Sequence, residues 1–142
     1  AAQPAAATDA PSAAPGLRIA ASQSPQDKGF NLRVESNRSG YLYCYSQDPV
    51  SNKIVRIFPN RFVRDPRVET GKPVRLPGGK RFVLNSAAEY ACLHAPREVY
   101  GDLPAPLRWG DFDEIRLPSF DAIRDHFRQI GGAEVELQRL SR

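Results

Sequence analysis

The stretch that most constrains the fold runs from Gly40 to Asn60. It begins with Tyr41-Leu42-Tyr43-Cys44-Tyr45, passes through Asp48-Pro49-Val50-Ser51-Asn52-Lys53, and returns as Ile54-Val55-Arg56-Ile57-Phe58 before Pro59-Asn60. β-Branched and aromatic residues fit a pleated, half-buried surface, while Pro and Asn favour the reversal between them. The stretch therefore reads as two strands joined by a turn. Three of the five tyrosines and one of the two cysteines lie in it. The tyrosines share one parity and Leu42 and Cys44 the other, so both faces of this strand are expected to be covered. That places it at the centre of a sheet. Pro59 has no N–H to give a ladder, so pairing should stop at Phe58.

Period-two alternation marks the flanking strands. Leu17 and Ile19 alternate with Arg18 and Ala20, and Phe30, Leu32 and Val34 alternate with Asn31, Arg33 and Glu35. Ser24 to Gly29 breaks the first from the second, and Ser36 to Gly40 turns the chain into the Tyr strand. After Asn60, a basic loop to Gly71 should be anchored by Phe62 and Val63. Pro73 to Leu76 reads as a short edge strand, Pro77-Gly78-Gly79 as a turn and Arg81 to Leu84 as another strand. Glu89 to Ala95 puts Tyr90, Cys92 and His94 on one side and Ala91 and Leu93 on the other. Pro96 to Pro118 reads as a long ordered loop. Ser119 then offers an N-cap, and Phe120, Ile123, Phe127 and Ile130 form one helical stripe that ends at Gly131. Ala133 to Leu140 reads as a closing strand. The expectation is a mainly β chain: an antiparallel, immunoglobulin-like β-sandwich of about seven or eight strands. One C-terminal α-helix, at about 119–130, should pack with the last strand against one end or edge.

A length of 142 residues suits one domain, here 17–142 with a loop-helix-strand extension over about 98–142. Residues 1–16 are mostly Ala, Pro, Ser, Thr, Gln and Asp. Without large apolar side chains they cannot offset the entropy of ordering, so they read as a disordered tether. The chain contains no Met, not even an initiator, which suggests processing upstream of Ala1. No apolar run is long enough to span a membrane and no signal-peptide pattern is present. The expected setting is the periplasm or cell envelope, with membrane attachment only through a removed upstream anchor. A cytoplasmic interdomain linker would look the same.

Gly40-Tyr41-Leu42-Tyr43, then Ile57-Phe58-Pro59-Asn60, Thr70-Gly71-Lys72, Leu76-Pro77 and Glu89 to Leu93 occur in that order. This series resembles the bacterial family called domain of unknown function 4384, over about residues 17–97. The resemblance implies a small β-sandwich, attached as a module to bacterial envelope proteins, kinases and caspase-like peptidases. It implies no catalytic residues. This chain departs from the family's pattern in placing Cys44 and Cys92 where apolar strand residues are expected.

Two cysteines in mid-strand positions of an exported domain read as a Cys44–Cys92 disulfide. Two buried free thiols in a reducing compartment are the alternative. Cys44, Cys92, His94 and His126 match the ligand count of a zinc site, but their spacing supplies no chelating nucleus. No local motif lowers either thiol's pKa for nucleophilic work, and His94 and His126 read as a wall residue and a half-exposed helix residue. Asp111, Asp113 and Glu114 near Trp109 read as a solvated acidic loop. They lack the oxygen-ligand spacing of a calcium loop and the two carboxylates flanking one bond that glycoside hydrolysis requires. Pro77-Gly78-Gly79-Lys80 lacks phosphate-loop spacing. No cofactor, metal or enzymatic activity is expected.

Charge supplies the remaining signal. Lys53 to Arg81 holds nine Lys/Arg against two Asp/Glu, a net of +7, and Glu98 to Asp125 holds seven acids against three arginines, a net of −4. Sixteen of the 20 basic residues are Arg, whose planar fork suits carboxylates and phosphates. The expected function is a non-enzymatic protein-interaction module of the bacterial cell envelope, an accessory part of a larger envelope or secretion assembly. It would bind an acidic protein partner through Arg56, Arg61, Arg64, Arg67 and Arg75. The alternative is a domain that binds cell-wall glycan such as peptidoglycan, or a small ligand, through Tyr100, Trp109, Asp111 and Asp113. Nucleic acid fits poorly, because Phe58 and Phe62 make too small a stacking platform.

Overall fold

The computed structural model describes residues 16–23, 30–60, 64–76, 84–85, 87–104, 107, 114–132 and 134–140. Among the described residues, nine strands form two antiparallel sheets: β1 (Leu17–Gln23), β2 (Phe30–Ser36), β3 (Gly40–Gln47), β4 (Ile54–Phe58), β5 (Arg67–Val68), β6 (Val74–Leu76), β7 (Glu89–Ala95), β8 (Glu114–Ile115) and β9 (Glu136–Arg139). The small sheet has the order β1-β2-β6, and the large one β8-β4-β3-β7-β9 with β5 also pairing β3. The Tyr strand β3 is thus central, flanked by β4 and β7, as its two-faced apolar pattern requires. β5 and β8 have two residues each, too short for alternation to reveal them. They raise the count above the expected seven or eight. Of the expected Arg81–Leu84 strand only Leu84 is described, as an isolated bridge to Phe30. Residues 1–15 of the expected 1–16 tether, the Ser24–Gly29 break, the Phe62-Val63 anchor and the Pro77-Gly78-Gly79 turn lie outside the described residues.

Two apolar cores lie on opposite faces of the large sheet. Between the sheets, Leu32, Val34 and Leu76 meet Leu42, Cys44, Phe58, Tyr90 and Cys92. On the other face, Tyr43, Tyr45, Ala91 and Leu93 meet Val99, Leu103, Leu107, Phe120, Ile123 and Phe127. Odd and even positions of β3 and β7 therefore serve different cores, which is why neither strand has a solvated side. Each fully buried Leu, Ile or Phe contributes on the order of 1.5–3 kcal/mol.

Helix α1 (Phe120–Gly131) begins where Ser119 Oγ accepts from the Ala122 N–H at 3.2 Å, and closes at Gly132, whose φ is 86°. Its buried stripe is Phe120, Ile123 and Phe127. The sequence pattern predicts this helix at an end or edge of the sandwich. It instead covers the outer face of the large sheet, because Tyr43, Leu93 and their neighbours need an apolar cover there. β9 takes the edge position beside β7.

Cys44 and Cys92 are directly opposite in the β3–β7 register and form a disulfide, with both residues fully buried. The bond joins neighbouring strands of one sheet. Two corner residues of the sequence pattern also gain a physical role. Asn60, 4% exposed, donates from Nδ2 to the Ile57 carbonyl at 2.8 Å and so ties the chain after the Phe58-Pro59 corner. A Cβ on Gly40 would lie 2.5 Å from His94 Nε2 and 2.6 Å from the Ala95 carbonyl oxygen, so only glycine fits beside β7.

Candidate functional site

Three groups of chemically capable side chains are brought together, and the first is locked. Arg56 stands on β4 directly across from Tyr45. Its Nε donates to the Pro59 carbonyl at 2.9 Å, its Nη1 donates to the Tyr100 hydroxyl, and its guanidinium carbon lies 5.3 Å from the Tyr100 ring centroid. Tyr100 in turn stacks on Tyr43, with centroids 5.6 Å apart. Burial pushes the Tyr43 and Tyr45 phenols well above the ordinary tyrosine range, so both stay neutral. Arg56 and Tyr100, assigned from sequence to two different surfaces, are partners in one half-buried cluster.

The second group sits where β7, β9 and the β2–β3 turn meet. His94, 1% exposed, approaches the Arg38 carbonyl oxygen through Nε2 at 3.2 Å. Burial, and then the Arg38 charge, hold its pKa below the usual histidine value. Glu136, its cross-strand neighbour, is pushed upward by burial, against which a Leu17 N–H bond and the Arg38 charge act. This arrangement ties β1 to β9 and keeps a neutral imidazole inside. Among the described residues no three His, Cys, Asp or Glu side chains converge as a metal site.

The third group is arginine on the surface. Arg67 on β5 is exposed and forks onto Asp65, with Nη2 2.8 Å and Nε 3.0 and 3.1 Å from its carboxylate oxygens. That bond, and the Arg67 N–H, hold the Asp65 carboxyl below the ordinary range. The pair borders a cavity of ≈ 520 Å³ beside Tyr41 and Glu69. Arg64 is exposed and makes no ion pair among the described residues.

Arg75 on β6 belongs to the small sheet, directly opposite Arg33 of β2. Both are exposed, while their neighbours Leu32 and Leu76 are buried, so the arginines face outward. Backbone phase sharpens this. The Asn37 N–H donates to the Gly16 carbonyl at 2.9 Å, so β2 residues of Asn37's parity, including Arg33, point their backbone groups at β1. Arg33 and Arg75 are then a non-hydrogen-bonded pair, the kind whose side chains come closest. Glu35 is shared by Arg18 at 3.7 Å and by Arg33. Arg75 has no carboxylate partner among the described residues. A cavity of ≈ 680 Å³ spans the three strands here, bordered by Ser22, Asn31, Arg33, Pro73 and Arg75.

Residues 25–91 match the family model described as Domain of unknown function (DUF4384). The resemblance carried by the series from Gly40 to Leu93 is thus shown, over a span narrower than 17–97. The DUF4384 segment includes Cys44, Arg33 and Arg75 but stops one residue before Cys92. Strand β9, helix α1 and the segment carrying Tyr100 lie beyond it. No curated protein and no solved structure matches the chain.

The expected basic surface is therefore distributed: Arg56 on β4, Arg67 on β5 and Arg75 on β6, with Arg64 before β5. Arg61 lies outside the described residues, as do Trp109, Asp111 and Asp113 of the alternative ligand surface. Arg33 carries no site signal in the sequence. Alternation already put it on the outward side of its strand, but its opposition to Arg75 depends on a pairing that no local pattern contains.

Proposed function

We propose that this protein is a non-enzymatic interaction module of the bacterial cell envelope that binds an acidic protein partner through surface arginines. The observation that carries this reading is the exposure of Arg64 and Arg75 without carboxylate partners among the described residues. Complementary charge steers association and selects partners. Arg56 is excluded from this surface because Tyr100 and Pro59 already engage it. The Cys44–Cys92 disulfide suits an oxidising compartment, and no described helix is long and apolar enough to cross a membrane. The bridge is the observation that fits an exported domain.

The test is retention of envelope proteins on the immobilised intact chain, with and without salt. An acidic protein should be retained at low ionic strength and released by salt. It should also be lost from the combined Arg33→Glu, Arg64→Glu, Arg67→Glu and Arg75→Glu variant. Retention indifferent to both salt and charge reversal refutes the proposal.

A further inference from the structure

We infer that Arg33 and Arg75 together form the carboxylate-binding centre of this module, seating an Asp or Glu side chain of an acidic peptide segment across two adjacent guanidinium groups. The inference rests on the acidic-partner reading above and names the surface that reading leaves open.

The sequence places arginine at both positions, and the fold places them opposite each other on the exposed face of a three-stranded sheet. Like charges directly opposite on adjoining strands repel, and the non-hydrogen-bonded pairing brings these two closest. A carboxylate placed between them removes the repulsion and accepts charge-assisted hydrogen bonds from both forks. Glu35 pairs with Arg18 and Arg33 and forms no ion pair with Arg75, which is left without a carboxylate among the described residues. The ≈ 680 Å³ concavity across the same strands gives a peptide room to lie against the sheet. Ser22, exposed at its β1 side, supplies a neutral hydroxyl for a peptide backbone.

Charge complementarity selects the occupant. An anionic membrane surface is held by clusters of about four to eight Lys/Arg, whereas the described outward face of this sheet carries Arg18, Arg33 and Arg75 against Glu35. One fork pair beside a neutral hydroxyl fits a single carboxylate on a peptide.

Titration of a labelled oligoglutamate peptide with the intact, oxidised protein, followed by fluorescence anisotropy, tests the site. Arg33→Gln/Arg75→Gln should weaken binding about tenfold or more, while Arg64→Gln/Arg67→Gln should change it less than about twofold. Arg75→Glu separates recognition from folding. It puts opposite charges across the strand pair, so the thermal midpoint should rise while oligoglutamate binding is lost. Loss through Arg64 and Arg67 alone overturns this site and leaves the acidic-partner reading standing. Binding of oligoglutamate no tighter than oligolysine overturns both. Capture of phosphatidylglycerol vesicles through Arg33 and Arg75, without oligoglutamate binding, overturns the choice of a peptide as occupant.

Discussion

Reduction of the Cys44–Cys92 bridge should cost this fold a large part of its stability. The two cysteines are 48 residues apart in sequence and closed by one bond. In the chain-entropy account, such a cross-link removes about 4 kcal/mol of loop-closure entropy from the unfolded chain at 25 °C. The folded state loses little on reduction, because the β3–β7 register from Tyr41–Ala95 to Gln47–Glu89 holds the strands together without the bond. The penalty therefore falls on the unfolded ensemble, which gains freedom. Two-state urea unfolding of one preparation, oxidised and then reduced, isolates the cross-link, since both forms keep the same side chains at the site. The reduced form should be less stable by about 3–4 kcal/mol, with a larger denaturant slope because its unfolded chain exposes more surface. Both sulfurs are buried, so reduction under native conditions should proceed only as fast as the β3–β7 region opens. A stability difference under about 1 kcal/mol would refute the entropic argument. Intact mass showing two free thiols in protein from an oxidising compartment would refute the bridge itself.

Gly40→Ala should destabilise by about 1–3 kcal/mol, because the added methyl meets His94 Nε2 and the Ala95 carbonyl; wild-type stability in chemical unfolding would show that the β3–β7 contact yields freely. His94 sets a pH dependence with a definite sign. Its folded pKa lies below the ordinary value, so the unfolded state binds the proton more readily. Stability should be fully present above the unfolded value near pH ~6.5 and fall as pH drops toward the folded pKa. The raised pKa of Glu136 acts the other way: its protonation favours the folded state at lower pH. Unfolding free energies across this range should lose their downward slope in His94→Gln, and an unchanged slope would mean that another group carries it.

Much of the candidate site was legible one strand at a time. Alternation at Phe30, Leu32 and Val34 already turned Arg33 outward, and Pro73 to Leu76 was readable as an edge strand carrying Arg75. Their opposition was not readable, because β2 and β6 are joined across the whole central hairpin, and sheet order depends on which apolar faces bury each other. Arg56 was misleading for a related reason. In sequence it is one more charge in a basic stretch, but β3–β4 register puts it opposite Tyr45 and under Tyr100, where its hydrogen-bonding capacity is taken up.

The sequence by itself determined the local elements: the two-faced Tyr strand, its stop at Pro59, and the capped helix beginning after Ser119. These are set by periods of 2 and 3.6 residues and by turn chemistry, all contained within short windows. Only the tertiary structure decided that α1 covers the outer face of the large sheet, that Cys44 faces Cys92 within that sheet, and that Arg33 stands beside Arg75. Each of these depends on strand order and register. Those follow from burying both faces of β3 and β7 at once, a condition satisfied by the whole chain and visible in no segment of it.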